Sequence, residues 1–335
     1  MIELNILRSL LLDDKKLAIQ TTKKYGLVKC LQLVSKSKVR NNYLRLIRSL
    51  EKSIDATVNE IEHKYSLISF EAENLSHKLN SYGINHVFFK GVPLSKLFYK
   101  YNSDRIFNDF DVLIDTNNLS SFYEFLEENS FNHRNNHRYI NRSGYTRTAL
   151  EVISSKSGNI YDFHHRIISK FLANECMLSQ GAFKDIKNIK GINIPSLNIL
   201  ITSSLYHCFK QNNNQFEPQI FLDLHHLTNK KYDHDKAISQ LKKFNLNLQF
   251  EKFLFYEDRI KSGIESNEII EFSKEIFKKE RQSKKSFISK NIIRTQIAHL
   301  FDPEPYVNYS GGNVKKNIFL ELFRMKMKRK KLRGI

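Results

Sequence analysis

The stretch from His86 to Asp115, HVFFKGVPLSKLFYKYNSDRIFNDFDVLID, constrains the fold of this chain more than any other. HVFFK is short, apolar and rich in β-formers, so it predicts a strand. Gly91 follows, and Pro93 stands where the first turn of a helix tolerates proline. Leu94, Leu97, Phe98 and Tyr101 recur at i, i+3, i+4 and i+7, which is one face of that helix. A second strand is expected from Asp109 to Asp115. The helix after it would bury Leu119, Phe122 and Leu126, with Asp115 or Thr116 as its cap. Alternating strands and helices in so short a span require a compact mixed α/β unit.

The second strand carries the chemistry. Side chains alternate along a strand, so Asp109 and Asp111 project from one face with Cα atoms about 6.5–7 Å apart. Two carboxylates held this way repel each other unless a cation stands between them, and hard divalent ions prefer oxygen ligands. Two ions about 3.5–4 Å apart would stabilise both the entering and the leaving oxygen of a phosphoryl transfer. The competing reading is a strand that ends at an exposed acidic edge. Against it stand Val112, Leu113 and Ile114, which mark an interior strand with charge at its entrance.

The neighbours of the pair fit a phosphate ligand. Gly91 admits close approach of backbone to a ligand, and the helix starting there offers free N–H groups. Lys90 can serve as a point charge on the same phosphates, and Arg105 can clamp one bidentately; both are equally readable as surface cations. A third carboxylate is expected, to complete the ion's ligands or to take a proton from an attacking hydroxyl. Asp162 in IYDFHH is the candidate, with His164 on the same strand face to orient it or donate to a phosphate. A structural, hydrogen-bonded role for His164 is the alternative. Tyr145 to Ser154 and Ile160 to Ile168 read as a hairpin turning at KSGN.

The flanks are helical. Ile54, Val58, Ile61, Tyr65 and Ile68 keep a three-to-four step in a long helix that Gly83 is placed to stop. The reading is therefore an α+β fold in four parts: a helical N-terminal region over 1–82, an α/β core over 83–175, a helical C-terminal domain over 176–316, and a basic amphipathic tail over 317–335. Asp223 and His226 share a helix face and can bind a metal, but a hydrogen-bonded pair against the core is the simpler role. His234, between Asp233 and Asp235, looks like a helix start. No GxSxG, HExxH or GxxxxGK[ST] occurs.

Charge narrows the partners. With 54 Lys and Arg against 35 Asp and Glu, the net charge is +19, which favours anionic ligands. Cys30, Cys176 and Cys208 form no CxxC pair, so neither a zinc site nor a disulfide framework is expected. No stretch reaches the roughly 18 uncharged residues of a membrane span, and the first residues are too charged for a signal peptide. A cytoplasmic protein, at most peripheral to a membrane, is expected.

The run KGVPLSKLFYKYNSDRIFNDFDVLID resembles a large bacterial family of poorly characterised nucleotidyltransferases, whose members show Leu-Lys-Gly, a helix ending in Tyr, then Arg, then Asp-x-Asp-Leu-Leu-Val. Lys90, Gly91, Tyr99, Arg105, Asp109, Asp111 and Leu113 fall at that spacing. Asp162, Phe163 and His164 resemble the family's later Asp-Leu-His. His207 and Leu222 to Leu224 resemble its helical His and Leu-x-Asp. The resemblance runs over roughly residues 20 to 230 and is strongest from Lys90 to Asp115. It implies a polymerase-β-like nucleotidyltransferase core, Mg²⁺ (two ions) and a nucleoside triphosphate such as ATP as donor. This sequence departs from better-known nucleotidyltransferases, which carry Gly-Ser close before the acidic pair, by having Lys-Gly well upstream.

On this reading a nucleoside monophosphate passes to a hydroxyl acceptor on RNA, a phosphorylated sugar or a protein. Three rivals remain: a catalytically silent nucleic-acid-binding protein on the same fold, a polysaccharide-pathway transferase at the membrane surface, and the nucleotidylating half of a toxin–antitoxin or defence pair. The acid-free run His133 to Arg147 would attract an anionic acceptor. The tail, with Ile318, Phe319, Leu322 and Phe323 before seven basic residues, suits an anionic membrane or nucleic acid. A solvated basic loop and a disordered solubilising tail are the simpler alternatives for the two.

Overall fold

The period-two pattern of DFDVLI becomes an interior strand, and the rest of the fold is arranged around its two faces. The computed structural model of the chain describes residues 1–107, 109–129, 131–133, 149–154, 157–164, 167, 175–211 and 216–278. Strands β1 (His86–Phe88), β2 (Asp109–Ile114), β3 (Phe131–His133), β4 (Ala149–Ser154) and β5 (Ile160–His164) form one sheet in the order β1-β2-β5-β4-β3. β2 runs parallel to β5 and antiparallel to β1, and β4 is antiparallel to both β3 and β5. The expected hairpin is present in shorter form as β4 and β5; residues 145–148, 165, 166 and 168, assigned to it from the sequence, lie outside the described residues.

Each face of the sheet is buried in a different apolar cluster. Phe110, Val112 and Ile114 of β2, with Phe88, Tyr161 and Phe163, pack under Phe122 and Phe125 of helix α7 (Leu119–Glu128) and Ala72, Leu75 and Leu79 of helix α5 (Lys52–Ser81). Leu113, Val87 and Phe89 point the other way, into a larger cluster built from both ends of the chain. A strand covered on both faces is why Val112, Leu113 and Ile114 read as a continuous apolar run.

Helix α5 buries Ile54, Val58, Tyr65, Ala72, Leu75 and Leu79 along one side and ends as expected before Gly83, which adopts φ +67°. Before it come α1 (Ile2–Leu12), α2 (Lys15–Tyr25), α3 (Leu27–Lys36) and α4 (Arg40–Ile47). After the sheet come α8 (Glu175–Lys184), α9 (Leu197–Tyr206), α10 (Pro218–Thr228), α11 (His234–Lys243), α12 (Asn247–Lys261) and α13 (Asn267–Phe277). These two sets share one core: Ile6, Leu7 and Leu10 of α1 lie in the same cluster as Leu224, Phe253, Ile260 and Ile276. The chain is thus α+β, a small mixed sheet between helical regions that close on each other. The span after residue 176 also holds a strand pair, β6 (Lys187–Ile189) and β7 (Ile192–Ile194), whose Ile192 and Ile194 join the core beneath α5. Asp233 caps α11 by accepting from the Lys236 N–H, as the flanking acids of His234 suggested.

Candidate active site

The register of β2 and β5 builds the site. The two strands are parallel neighbours with Asp111 directly beside Asp162, so their side chains leave the same face. His164, two residues along β5, lies on that face too, and ligand atoms of Asp111, Asp162 and His164 all stand within 4.8 Å of one another. Asp109 shares the face from the start of β2 and is half-buried, whereas Asp111 is only 7% exposed. The three-residue group therefore contains Asp111, Asp162 and His164, with Asp109 beside it.

One oxygen of Asp111 carries two partners. Its Oδ1 accepts from the Lys90 ammonium at 2.7 Å and lies 3.0 Å from His164 Nε2. Burial alone would push the Asp111 carboxyl up, but Lys90 and then His164 outweigh it and hold the group well below the usual carboxylate range. His164 moves down as well, first because it is buried and then because Lys90 lies close. The pair is therefore a carboxylate beside a neutral imidazole. Asp109 is shifted up, first by burial and second by the Asp111 charge.

Local sequence places Lys90 and Gly91. Lys90 ends the β1 segment and immediately precedes helix α6 (Gly91–Phe98), so its side chain reaches across to Asp111 on the adjacent strand. Gly91 is required by packing: a Cβ there would stand 2.8 Å from Phe107 Cβ and 2.9 Å from its Cγ. The close neighbour at this glycine is thus a phenylalanine of the chain itself.

Arg105 differs most from its expected role. Its Nε and Nη2 donate to the two oxygens of Asp223 at 2.8 Å each, and both side chains are buried. Burial opposes its charge, but Asp223 overcomes this and raises its pKa. The guanidinium is a bidentate anchor to α10, with its fork already filled. Tyr99 Oη donates to the same Asp223 at 2.8 Å, and Gln219 Nε2 donates to Tyr99 at 2.8 Å. Asp223 thereby takes the hydrogen-bonded role rather than a metal-binding one, while His226 packs its ring against Tyr99 at 4.1 Å.

A second buried arginine holds the same connection from the other side. Arg45 of α4 donates to Asp104 at 2.6 Å and to Ser103 Oγ at 2.6 Å, and Asn41 donates to the Ser103 carbonyl at 2.8 Å. Asp104 is pushed up to about 6 by burial, which Arg45 only partly offsets. The link from α6 to β2 is thus tied to the N-terminal helices through Arg45 and to the C-terminal helices through Arg105. The sequence gives no hint of this role for Arg45, because Ser103 and Asp104 lie 58 and 59 positions away. Residues 134–147 of the arginine-rich run and the tail 317–335 lie outside the described residues.

Residues 29–259 match the model of a family described as uncharacterised nucleotidyltransferases. The chain belongs to that family. Among solved structures it is similar to an antigenic nucleotidyltransferase-like protein from Paracoccidioides brasiliensis, at 14% identity and a TM-score of 0.38, over 61% of this chain and 96% of that one. That likeness is too distant to assign chemistry to any residue. No curated protein matches the chain. Among the described residues of this nucleotidyltransferase-family chain, no helix is long and apolar enough to cross a membrane.

Proposed function

We propose that this chain is a metal-dependent nucleotidyltransferase that moves a nucleoside monophosphate from a nucleoside triphosphate to a hydroxyl acceptor. The observation that carries the reading is a buried carboxylate, Asp111, placed by strand register beside a second carboxylate, Asp162, in a chain of this family. The donor set suits a divalent cation: two carboxylate oxygens and an imidazole nitrogen within 4.8 Å, with Asp111 ionised and His164 neutral, the protonation states in which these groups ligate. Asp111 and Asp162 would hold the ion, and Asp109 is available to a second one. A bound divalent cation supplies Lewis-acid polarisation and neutralises charge on the triphosphate.

The chain's own residues supply the rest. Lys90 brings a positive charge to the face where phosphates would bind, and the N–H groups opening α6 offer donors to a phosphate oxygen. Asp162 accepts the proton of the acceptor hydroxyl, with Asp109, whose carboxyl is more basic than usual, beside it. Apolar Leu113, Val87 and Phe89 behind the acids keep the site's floor dry, which strengthens every charge interaction above it.

The test is incubation with each labelled nucleoside triphosphate, a divalent cation and a cell extract. Label should appear in one acceptor fraction, and Asp111→Asn, alone or with Asp109→Asn, should abolish transfer while the circular dichroism spectrum stays native. Undiminished transfer by the double variant would refute the assignment.

A further inference from the structure

The acidic pair on β2 leads to the expectation of an all-oxygen, magnesium-type centre, but the group that the fold assembles is different. It combines one carboxylate from β2 with a carboxylate and an imidazole from β5, and Asp109 lies outside it. We infer that His164 is a ligand of the ion, so that the centre is a mixed carboxylate–imidazole site that prefers manganese-class cations to magnesium. This inference rests on the metal-dependent reading above and gives the ion's identity.

Three observations carry it. First, His164 Nε2 stands 3.0 Å from Asp111 Oδ1, and two ligands at right angles around an ion about 2.1 Å away stand about 3.0 Å apart. The imidazole and the carboxylate thus already have the spacing of adjacent ligands. Second, His164 is 7% exposed, and among the described residues its buried Nδ1 has no hydrogen-bond partner. In a purely structural histidine the second nitrogen is normally satisfied. Beside the ionised Asp111 the neutral ring keeps its proton on Nε2 and donates it to Oδ1; with Nδ1 unoccupied, the proton can shift there and leave the Nε2 lone pair to an ion. Third, the ring is held in place by apolar contact: Phe89 meets it edge-on with centroids 5.0 Å apart. A rigid, dry imidazole beside two carboxylates is a ligand set that magnesium, a hard ion reluctant to dehydrate, uses poorly. Manganese and the later divalent metals accept imidazole readily.

The experiment loads the full chain with Mn²⁺ and reads the bound ion by electron spin-echo envelope modulation. A directly coordinated nitrogen imprints a ¹⁴N coupling, which changes to a ¹⁵N pattern when the chain is made with ¹⁵N-histidine. That coupling should disappear in His164→Asn, or in Asp111→Asn should the first variant fail to fold, because Asp111 is needed to hold the ion there. The ratio of Mn²⁺ to Mg²⁺ affinity should also fall by about tenfold in His164→Asp, the scale on which metal sites respond to loss of a partner. Bound Mn²⁺ with no nitrogen coupling, or a coupling that persists in His164→Asn, would overturn the inference while leaving a metal-dependent transferase intact. A full free-Mn²⁺ signal in the presence of the wild-type chain would show that no ion binds, and both readings would fall.

Discussion

Replacing Arg105 by methionine gives the sharpest stability prediction. Asp223 is completely buried and Arg105 nearly so, and they are joined by two hydrogen bonds of 2.8 Å. Methionine fills much the same volume but leaves the Asp223 carboxylate, among the described residues, with the Tyr99 hydroxyl and the Gln219 amide as its remaining donors. Removing one partner of a buried pair typically costs about 3–5 kcal/mol, because the remaining charge is uncompensated. Against a total stability of about 5–15 kcal/mol this is severe, and the melting temperature should fall by roughly 10 °C. Equilibrium urea unfolding followed by far-ultraviolet circular dichroism measures the loss directly. The double variant Arg105→Met, Asp223→Leu should recover most of it, since an apolar pair of similar volume carries no desolvation cost. A loss below about 1 kcal/mol in the single variant, or strict additivity in the double, would refute the claim that this pair anchors β2 to α10.

Lys90→Met removes the ammonium that occupies Asp111 Oδ1, so calorimetry should find tighter Mn²⁺ binding and weaker nucleoside triphosphate binding; both moving in one direction would contradict the placement. Gly91→Ala drives a Cβ against Phe107 and should cost about 1–3 kcal/mol in urea unfolding, an effect that is absent if the contact is easily relieved. His86, buried against Ser76, has its pKa lowered from 6.5 to about 4, chiefly by burial. The unfolded chain therefore takes up this proton first, so stability is complete above pH 6.5 and falls as the pH drops towards 4, by about 3 kcal/mol at most. His86→Gln should flatten that part of the stability profile relative to wild type, and an unchanged slope would show that His86 is not its source.

Much of the site was legible because it depends on short-range geometry. Alternation along β2 and β5 alone places Asp109 with Asp111, and Asp162 with His164, since successive residues on a strand cannot share a face. The Gly91–Pro93 helix start and the long helix ending before Gly83 likewise follow from backbone chemistry within a few residues. Side-chain destinations were less legible. Arg105 carries the same local signal whether it clamps a phosphate or an internal carboxylate, and its partner lies 118 positions away.

The sequence by itself determined which residues could share a strand face, where β1 and β2 begin and the long helix stops, and that the acids sit at the mouth of an apolar strand. Those features are set by φ/ψ sterics and hydrophobic periodicity, which act between near neighbours in the chain. Only the tertiary structure decided that Asp111 pairs in register with Asp162, that Lys90 and His164 meet on one oxygen, and that Arg105 is committed to Asp223. Pairing between distant segments is chosen by the joint burial of two whole cores, and a buried charge takes whichever opposite charge that packing delivers.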